Sequence, residues 1–191
     1  DAYQYAGMNP VKYVDPDGNE IDVSDLNDGQ KREVLKAFLY ISQSKRGKEL
    51  VDNISKPVKD GGMMFKIKMN KKARVEYDTK TQTIHWDSTS DLEVFDTERE
   101  GKKGKQSPAL GLAHELGHAD QHCKGRGSEL IKSLTNEEIK YKVENDNLYD
   151  TEIPIAEQLN NKHNRNEGIR REYRDVVRYF NAKGVKSNEE K

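Results

Sequence analysis

The chain has 191 residues, of which 32% are apolar and 35% charged, and its 33 basic side chains face 34 acidic ones. That length suits one domain with a short appendage, and the near-balance of charge excludes the overall positive field of a nucleic-acid or membrane-surface binder. A single cysteine, Cys123, rules out an internal disulfide framework and a multi-cysteine zinc site, and no run approaches the ~18 apolar residues of a membrane span.

The opening Asp1-Ala2-Tyr3-Gln4 has neither a Met nor the basic and apolar regions of a signal peptide, so the chain reads as a piece of a longer protein. Residues 1–20 hold the turn formers Asn9-Pro10 and Asp15-Pro16-Asp17-Gly18, which predict an extended or turning linker. The stretch Tyr3-Gln4-Tyr5-Ala6-Gly7-Met8-Asn9-Pro10-Val11-Lys12-Tyr13-Val14-Asp15-Pro16-Asp17-Gly18 closely resembles the end of the core shell of Rhs/YD-repeat proteins. The resemblance implies that residues 1–20 are a remnant of that shell and that 21–191 form a variable toxin domain. Such a domain would be secreted, delivered into a target cell and neutralised by a cognate immunity protein. Nucleases, deaminases and peptidases all occupy that position, so the chemistry has to come from the remaining residues.

Between Asp28 and Ser42, the positions Val34, Leu35, Phe38, Leu39 and Ser42 recur at helical spacing and predict an amphipathic helix; a shorter one follows over 45–54. Phe65, Ile67 and Met69 alternate with Lys66 and Lys68, the period of a strand with one wet face. Residues 74–78 and 82–87 flank Thr79-Lys80-Thr81 as a β-hairpin. The stretch 88–106, tipped by Gly101-Lys102-Lys103-Gly104-Lys105, reads as a polar loop.

Ser107-Pro108 is a helix start, with Ser at the N-cap and Pro in the first turn. In the helix that follows, His114 and His118 stand one turn apart on the same face, placed to hold one Zn²⁺ through two imidazoles. Glu115 is the candidate general base for water, whose pKa a zinc ion lowers from ~15.7 to ~7. Leu110, Leu112, Ala113, Leu116 and Ala119 would bury this helix, and buried charges without a partner are costly. These residues resemble the HExxH signature of zincin metallopeptidases. The resemblance implies an α+β fold in which a small antiparallel or mixed sheet lies over the active-site helix, here followed by a helical C-terminal half. His122 is ~12 Å along the axis from His114 and turned by ~80°, out of reach of the same ion. Gln121 and Lys124 replace the Gly and His of the extended metzincin pattern, and Cys123 is a plain small residue.

Catalytic zinc takes a third protein ligand. The acids Glu129, Glu137, Glu138, Glu144, Asp146 and Asp150 read mostly as solvated surface. If a helix starts with Asp150 or Thr151 as its cap, Pro154 falls in the first turn, and Glu152 heads a stripe with Ile155, Ala156 and Leu159. A carboxylate pointed into the core needs a cation, which ranks Glu152 first as the third ligand, Glu157 second and Asp150 third. Residues 150–173, with the run Asn166-Glu167-Gly168-Ile169-Arg170-Arg171-Glu172-Tyr173, are similar to the segment after HExxH in NleD-like bacterial effector metallopeptidases, and that similarity also maps the family's glutamate to Glu152. Tyr173, Tyr149 and His163 are the candidates for stabilising a developing oxyanion, with Tyr173 placed first. Ile169, Tyr173, Val176, Val177 and Phe180 fall at helical steps and predict a C-terminal core helix, with residues 185–191 fraying.

The expected function is a zinc-dependent endopeptidase toxin acting on a protein substrate. Two alternatives stand beside it: a nuclease effector built around His163-Asn164, and a catalytically dead binding module stapled by zinc.

Overall fold

The computed structural model describes residues 21–56, 63–73, 75–96, 102–125, 136–172, 176–180 and 186–187. The shell-like segment 1–20 and Tyr173 lie outside them. A two-residue strand, β1 (Ile21–Asp22), leads to α1 (Asp28–Ile41) and α2 (Lys45–Ile54). Asn27 and Gln30 form a reciprocal capping box at the start of α1, each side chain taking the other's backbone N–H at 3.0 Å. The buried stripe of α1 is Val34, Ala37 and Ile41, whereas the expected Leu39 faces solvent.

The strands β2 (Phe65–Met69), β3 (Glu76–Asp78) and β4 (Thr83–Trp86) complete a mixed sheet in the order β1-β2-β4-β3. Here β1, β2 and β4 run parallel, and β3 returns antiparallel to β4 as the hairpin predicts, leaving β3 at the edge. Phe65, Ile67, Ile84 and Trp86 point into the core. Beneath this sheet runs α3 (Pro108–Cys123), capped by Ser107 with Pro108 in its first turn. Leu110, Leu112, Ala113, Leu116 and Ala119 are all buried, each leucine contributing ~1.5–3 kcal/mol of hydrophobic stabilisation. The Trp86 indole donates to the Pro108 carbonyl at 2.9 Å, tying the sheet to the start of this helix.

Three expectations are corrected. The stretch 88–106 contains two strands, β5 (Asp91–Asp96) and β6 (Lys102–Gln106), paired antiparallel. Its buried residues Leu92 and Val94 alternate with charges that pair across the strands, Lys105–Asp91 at 2.6 Å and Lys103–Glu93 at 3.5 Å. The C-terminal core helix is replaced by β7 (Val176–Phe180), which pairs with β5 and in turn with β8 (Lys186–Ser187), giving a second, antiparallel sheet in the order β6-β5-β7-β8. Val-Val-Arg-Tyr-Phe is rich in β-branched and aromatic residues, and that preference prevails over the helical spacing.

The third correction concerns the helix expected to begin near Asp150. Instead α4 (Asn136–Asn147) continues through a single π turn (Leu148–Glu152) into α5 (Ile153–His163). Pro154 has no N–H for the Asp150 carbonyl one turn back, and its ring would crowd that carbonyl in a regular α-helix. Widening the ladder relieves the conflict: the Ile153 N–H bonds to Leu148 five residues back, and the freed Asp150 carbonyl accepts from Arg46 Nε at 2.6 Å. The chain is thus α+β, and no described helix is long and apolar enough to cross a membrane.

Candidate metal centre

His114 and His118 project from α3 as predicted, and their Nε2 atoms lie 3.1 Å apart. The carboxylate that closes on them is Glu144 of α4, whose Oε2 is 3.3 Å from His114 Nε2 and 3.0 Å from His118 Nε2. Among the described residues, these three form the group of side chains placed to share a metal ion.

Glu152 is not part of that group. Its Oε2 sits 2.9 Å from the other nitrogen of His114, Nδ1, off the ideal hydrogen-bond line. The same carboxylate accepts Arg170 Nε at 2.9 Å, a second Arg170 nitrogen at 2.8 Å and Gln106 Nε2 at 2.7 Å. The sequence argument that a buried carboxylate at this position needs a cation holds, but the cation is a guanidinium. Exposure separates the two glutamates as well: the Glu144 side chain is 15% accessible and that of Glu152 2%, so Glu144 keeps an opening to solvent that Glu152 lacks. The second and third choices are elsewhere. Glu157 pairs with Arg171 at 3.5 Å on the surface, and Asp150 offers its backbone carbonyl to Arg46. His122 is turned away, its Nδ1 2.8 Å from the Tyr77 hydroxyl.

Hydrogen-bond logic fixes which imidazole nitrogens carry protons. The Val143 carbonyl can only accept, so the Gln121 amide must present its NH₂ there, at 3.2 Å, and its oxygen to His118 Nδ1, at 3.1 Å. His118 Nδ1 therefore donates. Glu152, an anion beside His114 Nδ1, makes that nitrogen the protonated one in the other ring. Both Nε2 lone pairs then face each other and Glu144 Oε2, so three acceptors converge with no donor among them. Only a cation reconciles them.

A proton or a metal ion can serve. Burial lowers the proton affinity of His114, but its bonds to Glu144 and Glu152 outweigh burial and push the pKa up to about 9. Burial likewise opposes ionisation of Glu144 and Glu152; the two imidazoles hold the first below the usual carboxylate range, and Arg170 with His114 holds the second there. For a metal, tetrahedral zinc with Zn–N bonds of ~2.0–2.1 Å separates neighbouring ligand atoms by about 3.3 Å. The observed separations of 3.0, 3.1 and 3.3 Å suit that radius, and two imidazoles with one carboxylate are a donor set zinc accepts.

Two amides brace the helices that carry the ligands. Asn147 Nδ2 donates to the His114 carbonyl at 2.8 Å, and Gln121 reaches the Val143 carbonyl next to Glu144. The close approach needs Gly117: a Cβ there would come within 2.0 Å of Asn147 Oδ1. At the helix start, Glu167 accepts the Ser107 backbone N–H at 2.8 Å and the Ser107 hydroxyl at 2.6 Å, with the Tyr40 hydroxyl on the same carboxylate.

Glu115, next along α3, feels His114, His118 and Glu144 and takes a backbone hydrogen bond from Tyr77 on β3; burial, its largest influence, raises its pKa. Two of the three oxyanion candidates lie elsewhere, the Tyr149 hydroxyl donating to the Arg171 carbonyl at 2.9 Å and His163 Nε2 lying 3.0 Å from the Gln43 carbonyl, and the third, Tyr173, is outside the described residues. Asn164, the other half of the nuclease alternative, takes a left-handed backbone at φ 50° and closes α5. No protein-family model and no curated protein matches the chain.

Proposed function

We propose that the chain is a zinc-dependent peptidase in which His114, His118 and Glu144 hold the ion and Glu115 is the general base. The observation that carries this reading is the convergence of three acceptor atoms, the two imidazole nitrogens among them with their protons set from behind, at zinc-like separations close to Glu115. Zinc in such a site supplies Lewis acidity, polarising a peptide carbonyl and acidifying a water molecule. The protein's own part is to hold the ligand atoms in place through Glu152, Gln121 and the bracing amides. Glu115 takes a proton from water and delivers it to the leaving amine, and its raised proton affinity suits both transfers.

The likeness of residues 3–18 to an Rhs/YD-repeat shell supports placing this peptidase as the effector of a secreted toxin. A protein in the target cell would be its substrate, and an immunity protein its partner. The zincin-like assignment is part of the same proposal, supported by the HExxH helix beneath a mixed sheet with an antiparallel edge strand.

The test is to express wild type and Glu115→Gln in cells and compare new protein termini by proteomics, with zinc measured on both purified proteins. Equal zinc content and cleavage confined to the wild type is the expected result. Zinc in both without any cleavage points to the stapled binding module, and nucleic-acid degradation unaffected by Glu115→Gln points to the nuclease.

A further inference from the structure

Gln121 lies one turn beyond His118 on α3, is buried, and uses both ends of its amide: the oxygen on His118 Nδ1 and the nitrogen on the Val143 carbonyl. We propose that Gln121 is a positioning residue of the metal centre, setting the ring face of His118 and the distance of the Glu144-bearing helix in one contact; the proposal rests on the zinc reading above.

A backbone carbonyl has no proton to give, so the amide cannot flip without setting oxygen against oxygen at 3.2 Å. Its oxygen is therefore locked toward His118, where it requires a proton on Nδ1 and leaves Nε2 bare for a metal. His114 receives the equivalent service from Glu152, an anion backed by Arg170. The two ligand histidines are thus oriented by unlike partners, one ionic and one neutral. Gln121 differs further in touching the backbone of the residue before Glu144, so that the ligands from α3 and α4 are set by a single side chain. An apolar residue there would fill the space without doing either.

The experiment compares wild type, Gln121→Met and Gln121→Glu by calorimetric zinc titration and by ¹H–¹⁵N NMR of the histidine rings in the zinc-loaded proteins, with thermal melts as a check on folding. Methionine removes both contacts, and zinc affinity is expected to fall ~10–100-fold, with the His118 Nδ1 proton signal lost to solvent exchange. Glutamate keeps the acceptor and loses the donor: the Nδ1 proton signal should survive while affinity still falls, because the Val143 carbonyl now meets a repelling oxygen. Affinity within twofold of wild type in both variants overturns the proposal while leaving the zinc site standing. A wild type that takes up no zinc overturns both. If Gln121→Met does not fold, Gln121→Glu and the wild-type Nδ1 signal decide, and absence of that signal in the loaded wild type counts against Gln121.

Discussion

Replacing Glu144 by alanine is expected to weaken zinc binding by more than about a hundredfold, since even partners one step removed from a metal are worth ~10–100-fold. The same titration on Glu152→Gln should give a smaller loss within that ~10–100-fold range, because Glu152 acts through His114 Nδ1 and not on the ion. Glu157→Gln should change nothing, as its carboxylate is engaged with Arg171 at the surface. The order matters more than any single value. If Glu152→Gln abolished binding and Glu144→Ala were tolerated, the ligand expected from sequence would be restored and the geometry described above would be wrong.

The second large effect concerns stability. Arg170 is 2% exposed and grips both oxygens of Glu152. Among the described residues, Arg170→Met leaves a buried carboxylate with Gln106 and His114 beside it, and breaking one half of a buried pair costs ~3–5 kcal/mol. For a domain of this size that corresponds to a melting point lower by roughly 10 °C. Removing both partners, Arg170→Met with Glu152→Met, takes away the orphaned charge and should recover much of the loss. Zinc affinity should stay low in the double variant, because His114 Nδ1 still lacks its anion. Thermal melts in chelator and zinc titrations on the three variants separate the two contributions. A double variant less stable than Arg170→Met would show that the pair is not the source of the effect.

The α3 segment was legible because its signals agree with one another: Ser107-Pro108 opens the helix, the apolar residues bury it, and two histidines a turn apart need a partner. The alternation through 65–69 and the hairpin over 74–87 were legible for the same reason. The strands β5 and β6 were hidden by their charges. Asp91, Glu93, Lys103 and Lys105 look like a solvated loop until cross-strand pairing is known, and pairing is a long-range fact. The C-terminal strand was obscured because apolar residues at steps of four and seven also fit a helix.

The approach of Glu144 to the two imidazoles was hidden for a local reason. Pro154 has the signature of a helix start, and a helix beginning there cuts Glu144 off from the element that positions it. Reading the helix through the proline would have joined Glu144, Asn147, Leu148, Thr151 and Glu152 into one stripe at helical steps, and the last four are buried. The π turn gives that stripe its chemistry, letting one continuous helix address both nitrogens of His114: Glu144 at Nε2 and Glu152 at Nδ1. Eighteen residues and a change of element separate Arg170 from Glu152, so no local pattern pairs them.

The central claim, that His114, His118 and Glu144 share one cation that is a proton without metal and zinc with it, is tested most directly by titrating metal-free wild type with zinc at pH 7.5 in buffers of different ionisation enthalpy. With the His114 pKa at about 9 in the metal-free protein, the site carries a proton at that pH that zinc must displace. The account predicts one zinc per chain with about one proton released, the release fading as the pH is raised past 9. Uptake of zinc with no proton release at pH 7.5, or saturation only at several ions per chain, would contradict it.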